Sequence, residues 1–204
     1  MNNDPGIICF RHCTSSISCY SVPQFCPICR QKLSNSSDIM PFRIPYPFVR
    51  AKQTPCSILL KPSKGNFLDI YNPNADLHIG ITRSDCRVIE YDFNGLCDSK
   101  TESWNECLCI YTLCDISWQM KWDNILLQVS NEFRNLNQRY DENSFNCYSF
   151  VLEFVKCLQH RDFMEVSSSK EIFCQRYVIP KMAVVFKYVR LFRILKNAEY
   201  YIEE

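Results

Sequence analysis

The chain has 204 residues, 47% of them apolar, with 23 Lys and Arg against 22 Asp and Glu for a net charge of +1. That length holds one good core, or a core with a small appended module, and the composition excludes global disorder. A charge balance so near zero gives no ground for a nucleic-acid partner, and no 18-residue apolar run is present to span a bilayer.

The first ten residues lack the basic and apolar regions of a secretory signal, and neither terminus matches a lipidation motif. Fourteen cysteines without a signal read as reduced thiols. The expectation is a soluble protein of the cytoplasm, with the nucleus also open.

Residues 1–37 are rich in Cys and Ser and poor in periodic apolar positions. Such a segment needs a metal to fold. Cys26-Pro27-Ile28-Cys29 is a Cys-x-x-Cys knuckle, whose tight turn aims two thiolates at one ion. The upstream ligand candidates are Cys9, His12, Cys13 and Cys19. Spacing alone favours Cys9 with Cys13, and His12 is the alternative to Cys9. A thioredoxin-like redox pair would need a strand–helix setting that is not apparent. Residues 38–55 carry Pro41, Pro45, Pro47 and Pro55 and read as an extended linker.

From residue 56 the pattern is α+β, an antiparallel sheet packed with helices. Strands are predicted over 56–60, 77–82, 87–91 and 106–113. Trp122, Ile125, Leu126, Val129, Phe133 and Leu136 then recur at helical steps. After the polar break 141–144, a helix is predicted over 147–158 with Phe150, Val151, Phe154, Val155 and Leu158 inward. A further helix is read over 170–176. Pro180 suits the first turn of the last, whose inward face is Met182, Val185, Phe186, Val189, Phe192 and Leu195. Trp104, Trp118 and Trp122 read as packing residues.

Asn146 is a good N-cap, which makes Cys147 the first helical residue. A thiol there meets unpaired amides and the positive end of the helix dipole, both of which favour thiolate. Alternation over 77–82 puts Leu77, Ile79 and Ile81 on one face and His78, Gly80 and Thr82 on the other. A histidine facing that cysteine would be its general base, and Gly80 would let the helix end approach. The turn between the strands decides the residue that orients His78. A two-residue turn pairs His78 with Tyr91, and a three-residue loop pairs it with Glu90, the preferred choice.

The strand LHIGIT, followed far downstream by NCYSFVLEF, resembles the circularly permuted papain-like fold of the desumoylating isopeptidases and the lecithin retinol acyltransferase relatives. There a strand histidine precedes a helix-start cysteine in an Asn-Cys-x-x-Phe-like context, matched by Asn146, Cys147 and Phe150. Acyltransferase relatives use a second polar residue on the next strand, which would fall near Glu90. More of the chain, through SVPQFCPICRQ, DLHIGIT, YDENSFNCYSF and RYVIP, resembles the makorin-2 opposite-strand protein family, which implies no particular reaction. This resemblance centres on HC and CPIC, and so implies His12, Cys13, Cys26 and Cys29 as ligands of a structural zinc.

The expected organisation is a cysteine-rich zinc-binding module (1–37), a proline-rich linker (38–55) and a permuted papain-like domain (56–204). Two functions are compatible with it. One is a thiol hydrolase, isopeptidase or acyltransferase using Cys147, His78 and Glu90 on a protein or acyl substrate. The other is a non-catalytic adaptor on the same scaffold. Lys181, Lys187, Arg190, Arg193 and Lys196 on the last helix read as a solvated face, or as a surface for an acidic partner.

Overall fold

The computed structural model describes residues 4–33, 39–69, 72, 74–99, 101–136 and 138–203. Its strands are β1 (Ile8–His12), β2 (Ser15–Cys19), β3 (Phe42–Arg43), β4 (Phe48–Val49), β5 (Ser57–Pro62), β6 (Leu77–Thr82), β7 (Val88–Asp92), β8 (Gly95–Ser99), β9 (Cys107–Thr112) and β10 (Tyr200–Glu203). The helices that concern us are α1 (Gln119–Asn135), α2 (Cys147–Leu158), α3 (Lys170–Phe173) and α4 (Ile179–Leu195). Every strand pairing is antiparallel, so the fold is α+β as the sequence indicates. No helix among the described residues is long and apolar enough to cross a membrane.

The chain divides into two units, 1–47 with 184–204, and 48–183. The first unit holds a sheet in the order β10-β2-β1-β3. One buried cluster in it is Phe10, Ile17, Cys19, Cys26 and Ile39. The expected boundaries change in two places. Residues 38–55 are not a free linker, because β3 pairs with β1, β4 pairs with β9, and Ala51–Gln53 forms a helical turn. Both strands begin just after a proline and lie at sheet edges, where a missing backbone donor costs little. Residues 184–204 join the N-terminal unit instead of closing the 56–204 domain, because β10 pairs with β2 from Tyr200↔Cys19 to Glu203↔Ser16. Residues 34–37 of the expected module and Asp38 of the expected linker lie outside the described residues.

The second unit is built on a sheet in the order β4-β9-β5-β6-β7-β8. Helix α1 buries Trp122, Leu126, Val129 and Phe133, and the Trp122 indole N–H donates to Thr82 O at 2.9 Å. Helix α2 buries the five predicted apolar residues, and Phe150 meets Phe133 edge-on at 5.2 Å. Two helix faces differ from expectation. Leu136 lies beyond the end of α1 and is exposed, and on α4 Phe186 is exposed while Tyr188 is buried. Residues Cys174–Val178 between α3 and α4 form a π-helical segment just before Pro180. Proline has no N–H to continue the α ladder, and an irregular turn before it follows.

Gly80 is needed, though not to admit a helix end. A Cβ there would lie 2.9 Å from Trp104 Cζ2 and 3.0 Å from Val88 Cγ1. The indole of the fully buried Trp104 fills the space. Gly80→Ala should overpack this contact and destabilise the fold by about 1–3 kcal/mol. Urea unfolding would show it, and an unchanged midpoint would mean that Trp104 moves aside freely.

Candidate functional site

The polar break and the cap place Cys147. Asn146 Oδ1 accepts from Tyr148 N at 3.0 Å, and Asn146 N donates to Ser149 Oγ at 3.1 Å, a closed capping box. Asn146 Nδ2 donates to Glu142 O at 2.7 Å. The Asn146 amide is therefore committed to structure, and the unpaired amide at the helix start is that of Cys147.

His78 projects from the start of β6. Its Nε2 lies 2.7 Å from Glu90 Oε2 on β7. With Nε2 engaged, Nδ1 is the nitrogen left for the Cys147 thiol, which lines the same cleft and acts electrostatically on the ring. Neither proposed turn forms. The three-residue loop falls one position later than expected, over 84–86, where Arg83 N donates to Arg87 O at 2.9 Å, and the ladder runs from Thr82↔Val88 to Gly80↔Glu90. Glu90 thus stands opposite Gly80 and reaches His78 diagonally along the same face, while Tyr91 takes the other face. The ladder ends at Gly80↔Glu90, and the neighbouring Ile79 amide acts to stabilise the Cys147 thiolate.

Electrostatics favour charge separation within this group. Burial pushes the Cys147 thiol up, but the hydrogen bond and charge of His78, the Ile79 amide and the Tyr140 hydroxyl outweigh it and hold the thiol below its ordinary range. Burial opposes the His78 imidazolium as well, and Cys147 and Glu90 raise it to about 9. For Glu90, burial is overcome by His78 and by Lys61, whose Nζ is 3.9 Å away, so its carboxyl sits below the usual range. Tyr140 was not singled out from sequence. It lies in an unpatterned loop, and only the fold brings its hydroxyl to the sulfur.

These groups line one cleft of about 730 Å³. The arrangement can present a thiolate, a proton donor beside it and a carboxylate that holds the donor in place.

A second cluster lies in the N-terminal unit. One ligand atom each from His12, Cys13, Cys26 and Cys29 falls within 4.8 Å of all the others. His12 Nδ1 is 3.0 Å from Cys13 Sγ and 3.7 Å from Cys29 Sγ, and Cys13 Sγ is 4.0 Å from Cys26 Sγ. The spacing-favoured Cys9 is not in the group. It is three residues from His12 on β1, so the two point to opposite faces. Ligation by the adjacent His12 and Cys13 needs a sharp turn, and the backbone supplies it in the left-handed region, with φ of 52° at Cys13 and 65° at Thr14. In the knuckle, Ile28 N donates to Cys26 Sγ at 3.4 Å, and Arg30 N to Cys26 O at 2.9 Å. Burial raises the Cys26 thiol, but the Cys29 and Ile28 amides and the Cys29 and Cys13 thiols lower it to about 7. The set fits a soft divalent ion.

Fold and sites together define an α+β protein with a thiol–imidazole–carboxylate group in one unit and a Cys/His group able to hold a metal ion in the other. The chain belongs to the makorin-2 opposite-strand protein family. Residues 41–195 match the family described as DUF4796 C-terminal, and residues 5–33 match DUF4796 N-terminal. It is similar to the human protein described as MKRN2 opposite strand protein, at 34% identity over 98% of this chain and 90% of that one. No solved structure matches.

Proposed function

We propose that residues 48–183 form a permuted papain-like thiol centre that catalyses acyl transfer or hydrolysis. The observation that carries this reading is Cys147 at a capped helix start, sharing one cleft with a histidine that Glu90 holds through Nε2. The chain order, histidine before cysteine, supports the permuted topology.

The Cys147 thiolate attacks a carbonyl carbon. The oxygen that becomes negative is met by the Cys147 N–H and the Tyr140 O–H. His78 passes its proton to the leaving group as the carbonyl–leaving-group bond breaks, and an acyl thioester remains on Cys147. His78, now neutral, deprotonates water or an acceptor amine or hydroxyl, which takes the acyl group and restores the thiolate. Glu90 keeps the ring oriented and favours its cationic form.

p-Nitrophenyl acetate tests the reading directly. Expected is one acetyl group on Cys147, removed by hydroxylamine and absent from Cys147→Ala, by peptide mass spectrometry. Acetyl spread evenly over the thiols, or none on Cys147, would overturn it.

His12, Cys13, Cys26 and Cys29 are proposed to hold a structural zinc. Four protein ligands complete a tetrahedron and leave no open position for substrate. A non-catalytic adaptor is the second reading, favoured by Phe25 and Ile28, which stand 50% and 41% exposed on the metal-side knuckle. An acidic partner at the last helix fits less well. Lys187 is 3.8 Å from Glu203, and Arg190 donates to the Tyr201 hydroxyl at 3.2 Å, so part of that basic face is answered within its own unit.

A further inference from the structure

The walls of the cleft identify the kind of substrate that the thiol would meet. Among its lining residues only Ala75, Leu77 and Phe93 lack a polar or ionisable side-chain group. A fatty acyl chain needs a continuous apolar trough, each buried methylene contributing about 0.8 kcal/mol. This cleft would instead require a hydrocarbon chain to lie against ionised groups.

The charges are sorted by side. β6, which carries His78, lies between β5 and β7. Beyond the end of β5 stands Lys64. Lys170 of α3 lines the cleft as well, its ammonium 4.6 Å over the Tyr148 ring. The segment after α3 packs toward β9, the strand beyond β5, with Tyr177 and Tyr111 rings 6.0 Å apart. On the other flank, Asp92 ends β7. Glu142 belongs to the loop whose Tyr140 ring lies 5.7 Å from Tyr91 of β7. Among the described residues none of Lys64, Lys170, Asp92 and Glu142 forms an ion pair. Lys61, by contrast, is paired with Glu90, and the Asp92 carboxylate accepts from Asn94 N at 2.7 Å within its own turn. Asp76, at the β6 end, stands between the flanks.

We propose that the cleft takes an extended peptide segment across Cys147, with an acidic side chain toward Lys64 and Lys170 and a basic one toward Asp92 and Glu142. This rests on reading Cys147 as the nucleophile, and it makes the scissile bond an amide or isopeptide rather than a lipid ester. Charge sorting also fixes the direction in which such a segment lies.

The test uses three bromoacetyl probes on the full-length protein: one extended by a Glu-containing tripeptide, one by the matching Lys-containing tripeptide and one by an alkyl chain. The rate of labelling at Cys147 is read by peptide mass spectrometry. Lys64→Glu with Lys170→Glu should slow the Glu probe about three- to tenfold, the size of two exposed ion pairs, and spare the Lys probe. Glu142→Lys should slow the Lys probe and spare the Glu probe. Both differences should shrink at high salt. Ratios between probes on one sulfur remain readable even if that sulfur is sluggish. A Cys147 that no probe labels faster than the other thiols would end the nucleophile reading, whatever the ratios. An alkyl probe that outpaces both peptides, or charge reversals that leave the ratios unchanged, would overturn the peptide assignment and leave a reactive Cys147 standing.

Discussion

Iodoacetamide should alkylate Cys147 ahead of the other described thiols at about pH 7, and His78→Ala should slow that reaction by on the order of 10–100-fold. The sign follows from the site. Burial alone raises a thiol, and Cys147 sits below its ordinary range because His78 and the Ile79 and Tyr140 donors overcome burial. Without His78 the burial cost stays and its largest counterweight is gone, so the thiolate appears at higher pH. In the wild type the rate should climb as pH rises through the lowered thiol value and then level. The thiolate–imidazolium pair should persist until His78 loses its proton near 9. The two groups titrate together, so each limb belongs to the pair. Glu90→Gln keeps a hydrogen-bonding group beside Nε2 but removes its charge. It should lower the alkaline limb and raise the acid limb by less than His78→Ala does. Peptide mass spectrometry after timed alkylation from pH 5 to pH 10 would decide. If Cys147 behaves like the other thiols, or if His78→Ala leaves its profile in place, the pair is structural and the thiol chemistry should be abandoned.

The parts of this site that the sequence could show were those set by local periodicity and capping. Asn146 before an apolar helical pattern fixed the start of α2, and the alternation in Leu77–Thr82 fixed the face of His78. Glu90 was reached by wrong register arithmetic. The three-residue loop sits one position later than the spacing suggests, and the resulting even displacement along β7 keeps Glu90 on the His78 face. Tyr140 and Lys61 act only through tertiary placement, one from a loop and one from a neighbouring strand, and no spacing rule reaches them. Gly80 was correctly read as a place of close approach, but the group that approaches is Trp104, which comes from a turn between β8 and β9. The N-terminal unit was the least legible. β1 ends in Arg11 and His12, and β2 has Ile17 as its one aliphatic residue among three serines and a cysteine, so these short strands carry little hydrophobic signal, and β10, the partner of β2, arrives from the other end of the chain.

Removing the metal should have a larger effect on that unit than any single apolar substitution. Cys26 belongs both to the buried cluster of Phe10, Ile17, Cys19 and Ile39 and to the proposed ligand set, so loss of the ion would reach the apolar interior. Structural zinc in small modules contributes about 10–16 kcal/mol of apparent binding energy, and much of that is folding energy. Cys29→Ser is the cleanest probe, because Cys29 is exposed and packs against little. With no ion, such a surface change should stay within about 0.5 kcal/mol. With zinc held by four ligands, it should abolish stoichiometric zinc measured by plasma mass spectrometry. It should also split thermal unfolding so that the N-terminal unit melts first. Cys9→Ser should retain the zinc, since Cys9 lies on the far face of β1. A chelator should reproduce the Cys29→Ser melt, and acid should do so too, because protons compete with the ion for His12 and the three thiolates. Protein purified without zinc, with a Cys29→Ser melt that matches wild type, would mean that the cluster is a set of neighbouring free thiols held by the turn geometry alone.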